Sequence, residues 1–167
     1  MPLSRIEDAI SEYAAAYRRL EDLQRQGGPL QIGDQKTGVI GEYYVYRYLQ
    51  RKYPSASLRY GTHSEKGWDI EVSEDRKKVQ FQVKTVSAYS RTRGLSPIHS
   101  GNYFLYVVSL NAEFCPDGFW LVRLAEYGDG TVMSGVKCPR PGVCGHISRG
   151  IRFGECLLPE LAFLIAE

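Results

Sequence analysis

The sequence predicts an α+β fold, a mostly antiparallel central sheet flanked by helices, and three observations carry that prediction. Apolar residues recur at helical spacing as far as Tyr53, then switch to strand-like alternation from Ser57 to Leu124. No internal repeat or low-complexity tract interrupts either pattern. The length, 167 residues, is that of one ordinary domain, since domains peak at roughly 100–150 residues. A single domain over 1–167 is therefore expected, with an N-terminal amphipathic helix in 1–28, a core in 36–124 and a C-terminal extension in 125–167.

Each element has a local reason. Ser4 and Glu7 stand in capping-box spacing, and Ile6, Ile10, Tyr13, Tyr17 and Leu20 follow in steps of four and three. That helix ends near Gly27-Gly28-Pro29, and its stripe suits either the body of its own chain or a second copy, which leaves a homodimer open. A second helical pattern runs from about Lys36 to Tyr53 and stops at Pro54. Strands are predicted over Ser57–Tyr60, Trp68–Val72, Val79–Val86, Tyr103–Leu110 and Phe119–Leu124, the last two joined by a loop containing Pro116-Asp117-Gly118. The stretch from Gly135 to Gly154 is rich in Gly and Pro and carries no clear pattern, and Leu158–Ala166 reads as a short closing helix.

Composition excludes several classes. Hydrophobic residues at 43%, charged residues at 24% and a mean hydropathy of −0.31 are globular values, which exclude a disordered, collagen-like or membrane-embedded chain. The first residues show no secretory pattern, so a cytoplasmic protein without membrane attachment is expected. Net charge is only +2, but its distribution is uneven. Arg76–Ala112 holds six bases and no acid, and Gly130–Gly154 holds four bases and no acid. Folded onto one face, the two segments would suit a polyanion. The four cysteines, Cys115, Cys138, Cys144 and Cys156, are expected to be reduced thiols. Cys138, Cys144, His146 and Cys156 could form a zinc site, but their spacing lacks the paired Cys-x2-Cys pattern, so Zn²⁺ is not the expected cofactor.

The informative segment is the hairpin from Trp68 to Thr85. With its turn centred between Asp75 and Arg76, Asp69 faces Gln82, Glu71 faces Gln80 and Val72 faces Val79. Ile70, Val72, Val79, Phe81 and Val83 then share the buried face, while Asp69, Glu71, Gln80, Gln82 and Lys84 share the other. A carboxylate, an amide oxygen and an ammonium in one small patch suit a hard cation such as Mg²⁺ and the hydrolysis of a phosphodiester. Glu42, in a helix flanked by Gly38 and Gly41, adds a second acid, and the glycines suggest close backbone approach on that face.

The ordered set of helix Glu42, strand Asp69 and strand Gln82-Val83-Lys84 resembles the PD-(D/E)xK nuclease superfamily, in the branch with Gln in place of the second strand acid. That branch includes restriction enzymes that cut modified DNA and intron-encoded homing endonucleases; the likeness covers roughly Gly38 to Leu124. The resemblance implies a restriction-endonuclease-like core and a Mg²⁺-dependent endodeoxyribonuclease, with Mn²⁺ able to substitute, acting on double-stranded DNA. By matching position it implies Asp69 as the principal metal ligand, Gln82 as a ligand or water-positioning group, Lys84 as the catalytic lysine and Glu42 as the helix acid. Gln82 removes one negative charge, which Glu42 or Glu71 would have to restore. The usual crossover helix is not evident between Lys84 and Tyr103, where Gly94, Pro97 and Gly101 interrupt the segment. Ser87, Arg91 and Arg93 after the catalytic strand, and Lys66 in the loop before Asp69, are candidate nucleic-acid contacts, and His63 in that loop is a weaker candidate base. A second class of function, a catalytically inactive nucleic-acid-binding or interaction module on the same fold, is compatible with the Gln exchange.

Overall fold

The computed structural model describes residues 3–25, 37–61, 67–101 and 104–162. Helix α1 spans Leu3–Arg25 and helix α2 spans Thr37–Lys52, with Arg51 and Lys52 in its last turn to complement the helix dipole. The strands of the main sheet are β1 (Ser57–Tyr60), β2 (Ile70–Glu74), β3 (Lys77–Ser87), β5 (Phe104–Leu110) and β6 (Pro116–Arg123); a short β4 (Ile98–His99) lies outside it. Spatial order is β1-β2-β3-β5-β6, antiparallel everywhere except between β3 and β5. The fold is α+β around a mostly antiparallel five-stranded sheet.

The β2–β3 hairpin has the register expected from the sequence: Glu71 pairs with Gln80 and Val72 with Val79. Its two turn residues, Asp75 and Arg76, both take positive φ, 47° and 65°, as a tight two-residue hairpin turn requires. Alternation along the hairpin sends Ile70, Val72, Phe81 and Val83 into one core, where α2 contributes Ile40, Val45, Tyr48 and Leu49. Helix α1 uses its stripe on the same core: Tyr17 is buried, and Ile6, Ile10 and Tyr13 pack against it. Rings of Tyr13 and Tyr17 lie 5.6 and 5.4 Å from that of Phe114. The stripe is therefore engaged within its own chain; the Leu20 side chain lies outside the described residues.

The opposite face of the sheet carries no long helix among the described residues. Leu105, Val107, Trp120 and Val122 are covered there by Leu95, Ile98, Val136, Cys138, Ile151 and Phe153, so the connection after β3 and the C-terminal extension form the second layer. A parallel pair such as β3–β5 is usually joined through a helix. Among its described residues the connection contains the two-residue β4, paired with Val132–Met133, and no helix, as the glycines and proline of that segment foretold. Two expectations need correction. Pro116-Asp117-Gly118 is not a loop but the start of β6, an edge strand where a proline is tolerated. Gly118 serves packing, since a Cβ there would run into the Trp120 indole. The true turn is centred on Asn111, whose Oδ1 accepts from the N–H groups of Glu113 and Cys115, both at 2.9 Å. The closing helix is, in its described part, a 3-10 turn over Leu158–Leu161; positions 163–166 lie outside the described residues. No helix among the described residues is long and apolar enough to cross a membrane.

Candidate active site

The site forms where the sheet forks. The β2–β3 ladder ends at Ile70–Phe81, while β3 continues to Ser87 against β5. From Gln82 onward one edge of β3 has no strand partner among the described residues. Asp69 stands at this point. Its N–H donates to the Phe81 carbonyl at 2.8 Å and its own carbonyl accepts from Gly61 N–H at 2.8 Å. Its Oδ2 accepts the Val83 N–H at 2.7 Å. The carboxylate thus takes a backbone donor that β2 leaves free, which holds it against the central strand.

Three charges converge there. Burial pushes the Glu42 carboxyl up to about 7, helped by the Asp69 charge and opposed by Lys84. Burial also raises Asp69 from its ordinary value, although the Val83 N–H and Lys84 pull the other way. Lys84 is lowered by burial, while Asp69 and Glu42 partly restore it. Each acid is raised despite the lysine, because desolvation of the carboxylate outweighs the attraction of one ammonium. No direct ion pair joins the three among the described residues.

Gln82 is 3% exposed and lies two residues before Lys84, on the same face of β3. Its Nε2 donates to the Gly67 carbonyl at 2.6 Å, and that carbonyl is aimed by a glycine at φ 97°. A carbonyl can only accept, so the amide nitrogen must face it and Oε1 must point elsewhere. That oxygen is buried with no hydrogen-bond partner, a state that costs roughly 1–3 kcal/mol unless something else satisfies it.

Glu42 reaches the site because α2 comes unusually close to β3. At Gly41 a Cβ would run into the Thr85 side chain, whereas at Gly38 it would meet nothing within 4 Å. Of the two glycines only Gly41 is there for close approach. Gly→Ala within a helix ordinarily stabilises by about 1 kcal/mol; Gly41→Ala should do the reverse, by about 1–3 kcal/mol, because the branched Thr85 cannot swing clear. Thermal unfolding checks this, and Gly41→Ala combined with Thr85→Ala, which removes the two nearest side-chain atoms, should recover part of the loss.

Other predicted participants are placed elsewhere. Glu71 does not reach the site: Oε1 accepts from Arg59 at 3.0 Å and Lys78 at 3.2 Å, and Oε2 from Gln80 at 3.0 Å. Burial alone would raise it, but those three donors outweigh burial and hold it below the ordinary value. Of the two acids, Glu42 and not Glu71 couples by charge to Asp69 and Lys84. Ser87 is fully buried, which withdraws it from any nucleic-acid surface. Arg93 is half-buried and structural, its Nη2 donating to Pro139 O at 2.6 Å and Ser109 Oγ at 2.9 Å. Arg91 is exposed, and His63 and Lys66 lie outside the described residues. Among the described residues no three His, Cys, Asp or Glu side chains gather into a metal-ligating group, so Cys138, Cys144, His146 and Cys156 are not assembled as a zinc site. Cys138 is buried, its thiol pushed up to about 12 chiefly by burial against the pull of Arg93. Sequence reasoning missed the Val83 N–H and the Gly67 carbonyl, backbone groups with no side-chain signature; Gly67 itself was the available signal.

No protein-family model matches the chain, and no curated protein matches it. Among solved structures the chain is similar to a bacterial homing endonuclease, I-Ssp6803I, at 17% identity and a TM-score of 0.39, over 81% of this chain and 92% of that one.

Proposed function

We propose that the protein is a metal-dependent endonuclease that hydrolyses phosphodiester bonds in double-stranded DNA. The observation that carries this reading is the convergence of Glu42, Asp69 and Lys84 at the fork, beside the unpartnered Gln82 Oε1. The donor set fits Mg²⁺, which takes oxygen ligands and characteristically one or two carboxylates. Glu42, Asp69 and Gln82 Oε1 would hold it, and it would offset the excess negative charge and the orphaned oxygen together. When bound, Mg²⁺, or Mn²⁺ in its place, supplies polarisation of a phosphate oxygen and acidification of a water. Asp69, fixed by the Val83 N–H, sets the orientation of the donor group. Lys84 Nζ brings positive charge and N–H donors to the reacting phosphate, and its lowered proton affinity suits it to pass a proton rather than only hold one. Burial on the Glu42 side limits water and strengthens each of these interactions.

The reading is tested with supercoiled plasmid DNA incubated with Mg²⁺, with Mn²⁺ and with EDTA. Conversion to nicked or linear product is expected with either cation and not with EDTA. Tight DNA binding with no conversion in any of the three would replace the endonuclease by a binding module that has lost its chemistry.

A further inference from the structure

On the sheet face away from the helices, the connection after β3 and the C-terminal extension run side by side. Leu95 N–H donates to Val136 O and Cys138 N–H to Arg93 O, both at 2.9 Å, and Gly94 bridges to Lys137. This pairing joins the two acid-free segments of the sequence around one cavity of about 430 Å³, whose lining includes Arg91, Arg93, Lys137, Arg140 and His146. No carboxylate lines it, although the Asp117 charge is felt at the lining residue Cys138. Arg91, Lys137 and Arg140 are exposed and make no ion pair among the described residues. Arg93 Nε and His146 Nε2 are buried without hydrogen-bond partners. Arg93 has a structural task, but Arg91, Lys137 and Arg140 have none that their surroundings reveal. Cations gathered without acids raise the local potential and attract an anion.

We propose that this cavity is a second phosphate site, holding a backbone phosphate of the bound nucleic acid away from the scissile bond. A phosphodiester offers only accepting oxygens to the forked donors of arginine and the ammonium of lysine, and it fits a cavity lined by both. Arg91 follows Lys84 by seven residues, so their Cα atoms lie within about 25 Å, roughly seven base-pair steps of ~3.4 Å. That separation is no longer than a short duplex. The identity of the polyanion rests on the endonuclease reading; the pocket itself does not.

The test measures binding of a 30-base-pair duplex in EDTA across a salt series, for wild type, Lys137→Ala/Arg140→Ala and Lys137→Arg, and adds inorganic phosphate to ¹⁵N-labelled protein. The double variant should bind about 10-fold more weakly, with the salt slope smaller by about one for each phosphate-binding cation removed. Lys137→Arg, which keeps the positive charge, should retain most of the wild-type affinity. Equal affinity and slope for wild type and the double variant would overturn the pocket proposal while leaving the endonuclease reading intact. Failure of wild type to bind duplex, with phosphate still shifting the amides of Arg93 and Cys138 only when Lys137 and Arg140 are present, would uphold the pocket and remove the endonuclease.

Discussion

Replacing Asp69 by Asn should lower the rate of DNA cleavage by about 10²-fold or more, the scale on which losing one electrostatic group at a reacting centre acts, and leave the fold intact. The asparagine Oδ1 can still accept the Val83 N–H that the carboxylate holds at 2.7 Å. Asp69→Ala should lose the same activity and also stability, by roughly 1–3 kcal/mol, because that N–H is left without a partner at a half-buried position. Cleavage rates and denaturant unfolding of the two variants separate the roles. An Asp69→Asn protein that cuts at the wild-type rate would remove Asp69 from the chemistry and leave it a purely structural acceptor.

Glu42→Gln should abolish cleavage and make the protein more stable at alkaline pH. Glu42 has its pKa raised from 4.5 to about 7 in the fold. Between these values the folded protein keeps a proton that the unfolded chain has released, so stability falls as pH rises through that window, and the deficit is complete above about 7. Glutamine carries no titrating proton and escapes the deficit. One pKa unit corresponds to about 1.36 kcal/mol, and about 1 kcal/mol moves the Tm of a chain of this size by ~2–4 °C. A rise of at least a few degrees is expected at pH 8 in EDTA, with little difference from wild type at pH 4. Thermal unfolding against pH reads this directly; a variant less stable than wild type at pH 8 would show that Glu42 is a stabilising contact and not a poised acid. Mg²⁺ should narrow the gap at pH 8 by stabilising the wild type more than the variant, since a ligand that binds the folded state raises its Tm.

The hairpin was legible because side chains alternate with a strict period of two. Val72, Phe81 and Val83 had to share a core, and Asp69, Gln82 and Lys84 had to share the other side. The Asp75-Arg76 turn followed from the same pairing. Glu71 was grouped with that side on the same rule, yet Arg59 and Lys78 claim it. Periodicity gives the face a residue occupies and says nothing of which neighbours reach it first. Pro116-Asp117-Gly118 read as a turn because its residue types usually make one; the need to seat the Trp120 ring overrode that preference. The fork itself was not legible. It depends on β2 ending at Ile70 while β3 runs on to Ser87, and strand ends are set by backbone partners distant in sequence. Arg91, Arg93, Lys137 and Arg140 could be seen as two basic segments, but only the tertiary pairing of 93–95 with 136–138 brings them around one cavity.

The most direct measurement is the single-turnover cleavage rate of Lys84→Ala against wild type on supercoiled DNA with saturating Mg²⁺, with duplex affinity measured in parallel in EDTA. A rate reduced by about 10²–10⁴-fold at unchanged affinity is the predicted result. Cleavage by Lys84→Ala at the wild-type rate would contradict the placement of the reaction at the fork of β2 and β3.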